Sequence, residues 1–377
     1  MSLIIDNPKY TTAYFSLNEK RFVDPAQKIS KSVFTHESFA AHLQNEKNPP
    51  IHLNEYQPVL SGIYPVPART KWLYEDGSFT KLKKNIKLSE GLTFDSCLKN
   101  SKRLLKNTKG KIAVEVSGGL DSSIVIGMLA RLGYEPVLIG TISDLDKFRS
   151  ERHIQEVITR RFQNVILTNS FEMQFSNLLE TPAHFLPNSF SLGHNQSANT
   201  IRMLKGHGVQ YLFQGVAFDC MLIEAIHDNP NEIRGPVLQG DWLNDYVFSP
   251  QGIPYVDVAA LSPIKQMLLS LRNRQGQDIQ KWWARKFFAS VIPPELSNYA
   301  YKANFNSQWW DGLQSNSEQV TQVVDTAFRV TSLPFLENFK MQIILDGMNN
   351  DSQRFNMSML GYANWVHSLH KADRLID

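Results

Sequence analysis

The sequence predicts an α/β fold built on a doubly wound parallel sheet, joined by a helical C-terminal part and a small β-rich N-terminal part. Apolar, β-branched segments alternate with segments of helical periodicity in the middle of the chain. The predicted strands are residues 112–116, 136–141, 164–168 and 209–213. Strands separated by helices imply right-handed crossovers and therefore a parallel sheet. Ligands of such sheets bind beyond the carboxyl ends of the strands, where Ser117, Thr141 and Gln214 fall.

The predicted helices follow from amphipathic spacing and from capping residues. They are residues 94–106, residues 124–131 with Gly133 as the cap, residues 152–162 and residues 198–205. After about Asp219 the pattern is almost wholly helical, with no strand periodicity. Residues 1–90 are loop-rich; short strands are predicted there at residues 62–66, 71–74 and 79–82. We therefore divide the chain into two domains, residues 1–90 and residues 91–377.

The composition is that of an ordinary globular protein. The chain has 377 residues, of which 42% are hydrophobic and 20% charged, and its net charge is +3. So small a charge argues against nucleic acid or an anionic membrane as the main partner. Cys97 and Cys220 have no metal-ligand spacing, which favours a reducing compartment. We find no apolar run of membrane-spanning length and no signal peptide, and so expect a cytoplasmic protein.

The loop after the first strand of the parallel sheet, at residues 117–123, reads SGGLDSS. A strand, a glycine-rich loop and a helix present backbone N–H groups and the positive end of a helix dipole to a phosphate. The glycines allow a close approach, the serines add hydroxyl donors, and Asp121 can hold Mg²⁺ among phosphate oxygens. The alternative is a serine-rich turn before an ordinary helix. The residues predicted to bind the nucleotide here are Ser117, Gly118, Gly119, Leu120, Asp121, Ser122 and Ser123.

The end of the fourth predicted strand adds a second candidate at the same edge of the sheet. Gly215 and Asp219 follow this strand, and the carboxylate of Asp219 could supply a second Mg²⁺ ligand facing Ser117. The alternative is a turn followed by an aspartate that caps a helix, which is a common arrangement. We therefore add Gly215 to the predicted nucleotide site and Asp219, with Asp121, to the predicted metal ligands.

The SGGLDSS loop lacks the lysine of a Walker motif. It resembles the signature of the PP-loop ATP pyrophosphatases, in the form found in the asparagine synthetase and β-lactam synthetase family. The resemblance implies an adenine nucleotide α-hydrolase-like fold that binds ATP and Mg²⁺ and cleaves ATP between the α and β phosphates. It also implies that Asp219 helps to bind magnesium and pyrophosphate and that Thr141 lies near the nucleotide. Enzymes of this family adenylate a carboxylate and couple it to a nucleophile.

A further resemblance lies downstream. Residues 281–288 read KWWARKFF and are similar to the K-x-x-x-R helix of the family, and residues 301–305 read YKANF. In the family the lysine that Lys302 matches stabilises charge on the reacting carboxylate and the α-phosphate. A cation lowers the barrier to bringing two anions together, so we expect Lys302 to be catalytic. The alternative is a surface lysine in a basic loop. Lys281 and Arg285 fit the helix pattern and could simply pack or pair with acids.

The sequence departs from that of asparagine synthetases and β-lactam synthetases in two places. Ser2 stands where a glutaminase domain has its nucleophilic cysteine, so glutamine is not expected to be the nitrogen donor. Val216 stands where β-lactam synthetases have a tyrosine, which leaves the base for the amine unassigned. With these two departures the chain resembles the lasso-peptide cyclase type of the family, which lacks a glutaminase active site. Residues 1–90 would then be a degenerate amidotransferase-like or scaffolding domain, and residues 91–377 the ATP-binding synthetase domain.

We accordingly expect an ATP-dependent ligase that forms a C–N bond and releases AMP and pyrophosphate, in natural-product or peptide maturation such as antibiotic biosynthesis. Its substrates would be a carboxylate and an amine on small molecules or peptides, with a peptide-binding or protease protein as a candidate partner. An ammonia-dependent asparagine synthetase-like enzyme and a nucleotide-binding scaffold remain open. A nucleic-acid-modifying enzyme is disfavoured, because the chain has no basic stripe and no pair of catalytic cysteines.

Overall fold

A computed structural model of the chain shows an α/β protein whose central element is a five-stranded parallel sheet. This confirms the predicted α/β class and the predicted parallel sheet. The structure describes residues 2–7, 13–24, 27–47, 56–66, 70–82, 93–105, 110–141, 149–168, 175–215, 218, 247–258, 264, 267–268, 271, 281–297, 312–334, 336 and 350–376.

The described secondary structure alternates between strands and helices in the middle of the chain and is helical near its end. The strands are β1 (Leu3–Asn7), β2 (Ala13–Ser16), β3 (Arg21–Phe22), β4 (Ile29–Ser30), β5 (Ile63–Val66), β6 (Thr70–Glu75), β7 (Ser78–Lys81), β8 (Lys111–Glu115), β9 (Val137–Thr141), β10 (Val165–Thr168), β11 (Val209–Gln214), β12 (Tyr255–Asp257) and β13 (Leu375–Ile376). The helices are α1 (His36–Lys47), α2 (Phe94–Leu105), α3 (Leu120–Arg131), α4 (Arg149–Thr159), α5 (His194–Gly206), α6 (Trp282–Phe287), α7 (Pro294–Ser297), α8 (Ser317–Thr331) and α9 (Asn350–Lys371).

The parallel sheet has the strand order β10-β9-β8-β11-β12. The chain begins the sheet with β8, adds β9 and β10 on one side, and then adds β11 and β12 on the other. The order therefore reverses between β8 and β11. In doubly wound sheets the crevice beyond the carboxyl ends of the strands at this switch point is where ligands bind. Ser117 follows β8 and Gly215 follows β11, so both lie at the switch point.

Strands β8 to β11 and the helices between them confirm the sequence prediction, with shifts of a few residues at their ends. Strand β12, like the two-residue strand β13, contradicts the prediction that the chain after about Asp219 contains no strand. It has three residues, too few to show an alternating pattern, and it pairs in parallel with residues 212–214 of β11. Backbone pairing to an existing sheet edge, which side-chain pattern does not reveal, accounts for this strand.

The N-terminal part contains two small antiparallel sheets, β1-β6-β7 and β3-β2-β5. The predicted strands are confirmed as β5, β6 and β7, and Asp76 and Gly77 turn the chain between β6 and β7 with φ angles of 50° and 81°. Two positive φ angles are typical of a type I′ turn, which suits a two-residue hairpin. Helix α1 shows that the loop-rich prediction is wrong there. Thr35 and Ser38 cap its start reciprocally, each backbone N–H donating to the other's hydroxyl.

A second core joins the N-terminal part to helices α8 and α9. Trp365 of α9 is fully buried, lies edge-on to Phe34 at 5.4 Å between ring centroids, and donates its indole N–H to the His184 carbonyl. Strand β13 also pairs in parallel with β4. The predicted boundary at residue 90 lies outside the described residues and stays a prediction. None of the described helices combines the length and the apolar character that crossing a membrane would require.

Helix α3 is in close contact with the segment formed by residues 281–297. A Cβ added at Gly127, in the middle of α3, would stand only 1.8 Å from the carbonyl oxygen of Val291. Phe288 of the same segment is fully buried in the core that contains Met128 of α3. The missing side chain at Gly127 therefore allows the segment to dock on α3.

We predict that Gly127→Ala destabilises the protein. Alanine normally favours a helix over glycine by about 1 kcal/mol. Here the Val291 carbonyl must move to admit the methyl group, so we expect a net loss of about 1–3 kcal/mol in the free energy of unfolding. Urea denaturation would measure it.

Gly206→Ala provides the matched control for Gly127→Ala. Gly206 ends helix α5, and nothing lies within 4 Å of the position that a Cβ would take there. We expect this change to be neutral or slightly stabilising, because it lowers the entropy of the unfolded chain without a clash. Equal effects of the two substitutions would contradict the role assigned to Gly127.

Three histidines lie on α9, at the start of α5 and in the chain before α5: His367, His194 and His184. His184 is fully buried, and its Nδ1 lies 3.1 Å from the Pro182 carbonyl oxygen. Burial lowers the pKa of His184 from 6.5 to about 4. Burial also lowers the pKa values of His194 and His367. The smaller opposing effects are the Glu180 charge at His194 and chiefly the hydrogen bond with the Leu179 backbone at His367. All three side chains are therefore held in the neutral form at neutral pH.

We predict that the protein loses stability between pH 6.5 and pH 4. Over this range the unfolded chain binds a proton at His184 while the folded chain does not, so the free energy of unfolding falls as the pH falls. The shift of the His184 pKa corresponds to about 3 kcal/mol over the full range. In His184→Asn the amide can still donate to the Pro182 carbonyl, but nothing titrates. Urea denaturation at several pH values should give a shallower pH dependence for this variant; identical slopes would contradict the assignment.

Candidate functional site

The loop between β8 and α3 is held in shape by its own hydroxyl groups. Gly118 adopts a φ of 79°, a left-handed conformation that favours glycine. The hydroxyls of Ser122 and Ser123 donate to the Gly119 carbonyl at 3.2 and 2.7 Å. The Ser117 hydroxyl lies 3.0 Å from that of Ser122 and accepts the Gly119 N–H at 3.2 Å. The three predicted serines therefore shape the loop around the first turn of α3.

Helix α3 begins within the SGGLDSS segment, at Leu120, with Gly119 as its N-cap. The N–H groups in the first turn of a helix have no acceptor within the helix and carry partial positive charge. In α3 these groups belong to Leu120, Asp121 and Ser122, since the Ser123 N–H donates to the Gly119 carbonyl. The Leu120 side chain is buried in the core, so Leu120 contributes its backbone to the crevice. The first turn of α3 can therefore bind an anion.

The end of β11 touches the start of α3. Gly215 follows β11, and a Cβ there would stand 3.0 Å both from the Asp121 carbonyl oxygen and from Cγ2 of Val125. A larger residue at this position would separate the strand end from the helix. The structure thus brings Gly215 together with the predicted loop at residues 117–123.

Gln155 of α4 connects the carboxyl ends of β8 and β9. Its Nε2 donates to the Val116 carbonyl at 3.0 Å and to the Thr141 carbonyl at 2.9 Å. This fixes Thr141, a predicted neighbour of the nucleotide, at the edge of the crevice. Gln155 was not predicted from the sequence. The available signal is a polar residue on the apolar face of α4, between the buried residues Ile154 and Ile158.

The strongest electrostatic feature of the crevice is an ion pair between Asp121 and Lys281. The Lys281 Nζ lies 2.6 Å from Oδ1 and 2.7 Å from Oδ2 of Asp121, so the ammonium donates to both carboxylate oxygens. The Lys281 side chain is 9% exposed and that of Asp121 is 23% exposed. The expectation that Lys281 could pair with an acid is met, and the acid is the predicted metal ligand. Lys281 therefore belongs to the site.

The position of Lys281 is set by its backbone and by a buried arginine. Lys281 has a φ of 56° directly before α6, and its carbonyl accepts the Arg285 N–H at 2.8 Å. The Arg285 guanidinium is buried and donates to the Leu296 carbonyl, which joins α6 to α7. Together with the contact of Val291 on α3, these bonds hold the Lys281 ammonium at the crevice.

The Asp121 carboxylate suits a divalent cation. Both of its oxygens already accept from one cationic group, so they are directed toward a positive charge. The ammonium of Lys281 would have to move for Mg²⁺ to take its place. Among the described residues no group of three or more His, Cys, Asp or Glu could hold a metal. A Mg²⁺ ion here would rely on phosphate oxygens and water for its other ligands, which is usual for this ion at nucleotides.

Two predicted site residues, Asp219 and Lys302, lie outside the described residues, as does Val216. Phe218, directly before Asp219, is fully buried, and its ring lies 6.1 Å from that of Phe288. The metal-binding role of Asp219 and the catalytic role of Lys302 stay predictions.

Comparison of the chain with protein-family models and with curated proteins gave no match. The resemblance to asparagine synthetases therefore stays a prediction from the motif residues. The structure independently places SGGLDSS where a parallel strand leads into a helix, with residues 120–123 forming the first turn of α3, at the switch point of the sheet.

We predict an unequal response to removing the two partners of the ion pair. Asp121→Ala removes the carboxylate that accepts two hydrogen bonds from a nearly buried ammonium, and we expect a loss of about 3 kcal/mol in the free energy of unfolding. Lys281→Met keeps the apolar stem and leaves a more exposed carboxylate at a helix N-terminus. That carboxylate is stabilised by water and by the helix dipole, so we expect about 1 kcal/mol. Urea denaturation of both variants would measure the difference.

The double variant provides the control for this prediction. If the two side chains interact directly, the loss in the double variant will be smaller than the sum of the single losses. Additive losses would show that Asp121 and Lys281 contribute separately to stability, and would contradict a direct stabilising interaction between them.

Proposed function

We propose that the protein is an ATP-dependent ligase that adenylates a substrate carboxylate and couples it to an amine, releasing AMP and pyrophosphate. The observation that carries the proposal is the Asp121–Lys281 ion pair beside the SGGLDSS loop. A helix N-terminus for phosphate, a carboxylate for Mg²⁺ and a cation for phosphate oxygens are the groups that this cleavage requires. The PP-loop class of the fold and the two-domain layout are parts of the same proposal.

The first turn of α3 would bind the phosphate groups in this scheme. Gly118 and Gly119 let the phosphates approach the backbone, and the N–H groups of residues 120–122 donate to their oxygens. Asp121 would hold Mg²⁺, which, when bound, neutralises phosphate charge and so favours attack by an anionic carboxylate. Thr141, fixed by Gln155, would border the nucleotide on the β9 side.

Lys281 would exchange one partner for another during this reaction. Its ammonium neutralises Asp121 in the described structure, and it would shift to a phosphate oxygen when the metal takes its place. The lysine stem is long and flexible enough for a small shift, and the backbone around it is fixed by Arg285. By the family resemblance, Lys302 would stabilise the charge on the reacting carboxylate, and Asp219 would complete the metal site.

The wider setting belongs to the proposal as well. The carboxylate and the amine would be on small molecules or peptides in the cytoplasm, with neither nucleic acid nor a membrane required. A peptide-binding or protease protein is the candidate partner. Support for this part comes from the composition and from the motif departures at Ser2 and Val216.

We predict that candidate amino acids and peptides will promote exchange of pyrophosphate into ATP. Asp121→Ala and Lys302→Ala should abolish this exchange, and Lys281→Met should lower its rate about 100-fold, the typical effect of removing one preorganised charge. Product analysis should find AMP and pyrophosphate. Release of ADP and phosphate instead would overturn the proposal.

Lys286→Met is the matched control for Lys281→Met. Lys286 is exposed on the same helix α6, away from Asp121. It should retain nearly full exchange activity. A comparable loss in both variants would show that Lys281 acts only through the overall positive charge of this segment and not through its contact with Asp121.

A further inference from the structure

A cavity of about 590 Å³ runs along the outer face of α3. It reaches the turns at the amino ends of β9 and β10, the edge of the sheet opposite the SGGLDSS loop. Neither Asp121 nor Lys281 is among its described lining residues. Its volume lies in the range of sites that hold small ligands, about 300–1,000 Å³. The cavity shares Ser123 with the SGGLDSS segment but otherwise extends away from the site proposed above, toward the opposite edge of the sheet.

Part of the cavity wall is apolar. The apolar lining comes from α3, from the end of α4 and from the turn that docks on α3; it includes Ile126, Ala130, Ile158, Phe162, Val291 and Pro293. Ile126 and Ile158 are each 3% exposed, so this wall is continuous with the main core. Such a wall favours apolar side chains of a ligand.

Two opposite charges also line the cavity, on different loops. Arg161 follows α4 and Glu135 precedes β9. Within the described part of the chain, neither side chain forms an ion pair or a hydrogen bond. Arg131 lines the cavity too, but its guanidinium donates to Asp95 at 2.9 Å and to Ser290 at 3.1 Å. The charges available to a ligand are therefore one guanidinium and one carboxylate.

We propose that this cavity binds a short apolar peptide, two or three residues long, through both of its free ends. The Arg161 guanidinium would take the terminal carboxylate in a bidentate contact, and Glu135 would take the terminal ammonium. Arg161 and Glu135 do not contact each other, so the ligand charges must also be separated, as they are at the two ends of a peptide. The apolar side chains would lie against Ile126 and Ile158. This inference needs no nucleotide and goes beyond the proposed ligase activity.

The test is isothermal titration calorimetry of the full chain with the dipeptide leucyl-phenylalanine as the probe. We expect Arg161→Gln and Glu135→Gln each to weaken binding about two- to fivefold, the usual effect of a partly exposed ion pair. Ala130→Leu, at an exposed helical position on the cavity wall, should weaken it further by filling the space. Arg160→Gln is the matched control, because Arg160 pairs with Glu156 and does not line the cavity.

Dipeptides with one end chemically blocked show which residue binds which end of the ligand. Arg161→Gln should not affect binding of the C-terminal amide of the dipeptide, and Glu135→Gln should not affect binding of its N-acetyl form. Lack of binding at millimolar concentration would overturn the proposal. Equal effects of Arg160→Gln and Arg161→Gln, or the same losses with the blocked probes, would also overturn it. Because no ATP is present, these outcomes do not depend on the proposed ligase activity.

Discussion

The ion pair between Asp121 and Lys281 joins two parts of the chain that are 160 residues apart. One partner stands in the first turn of α3, directly after the strand that begins the parallel sheet. The other precedes α6, in a segment that reaches α3 only because Gly127 leaves room for Val291. A contact in the middle of α3 thus helps to place the segment whose first residue faces the carboxylate at the start of α3. Loss of the ion pair, or displacement of the segment that carries Lys281, would change the charge of the crevice.

The crevice itself is a consequence of strand order and of close backbone approach. Reversal of the order between β8 and β11 leaves their carboxyl ends side by side, with no crossover helix between them. Gly140 and Gly215 then let neighbouring backbone come close, since a Cβ at Gly140 would stand 2.4 Å from the Val116 carbonyl oxygen. Gln155 ties the same edge together from the helix side. Sheet topology creates the site, and small or polar residues set its dimensions.

Much of this arrangement could be predicted from the sequence, because local patterns encode it. The four strands β8 to β11 are apolar and β-branched, and the Asp76-Gly77 turn has a residue-specific conformation. Three features could not be predicted. Strand β12 forms only because it pairs with β11. The ion pair of Lys281 joins residues that are 160 positions apart in the sequence. Gln155 donates to the ends of neighbouring strands, and the periodicity of its own helix does not show which strands those are. Each depends on tertiary contact, which periodicity does not encode.

The buried Lys281 ammonium supports the proposed site over the ordinary serine-rich turn that the sequence left open. Its left-handed backbone costs about 1 kcal/mol, and burial of its ammonium adds a desolvation cost. Such features persist only where the surrounding structure enforces them, and they concentrate at functional sites. Here the Arg285–Leu296 bond and the Gly127–Val291 contact supply the enforcement.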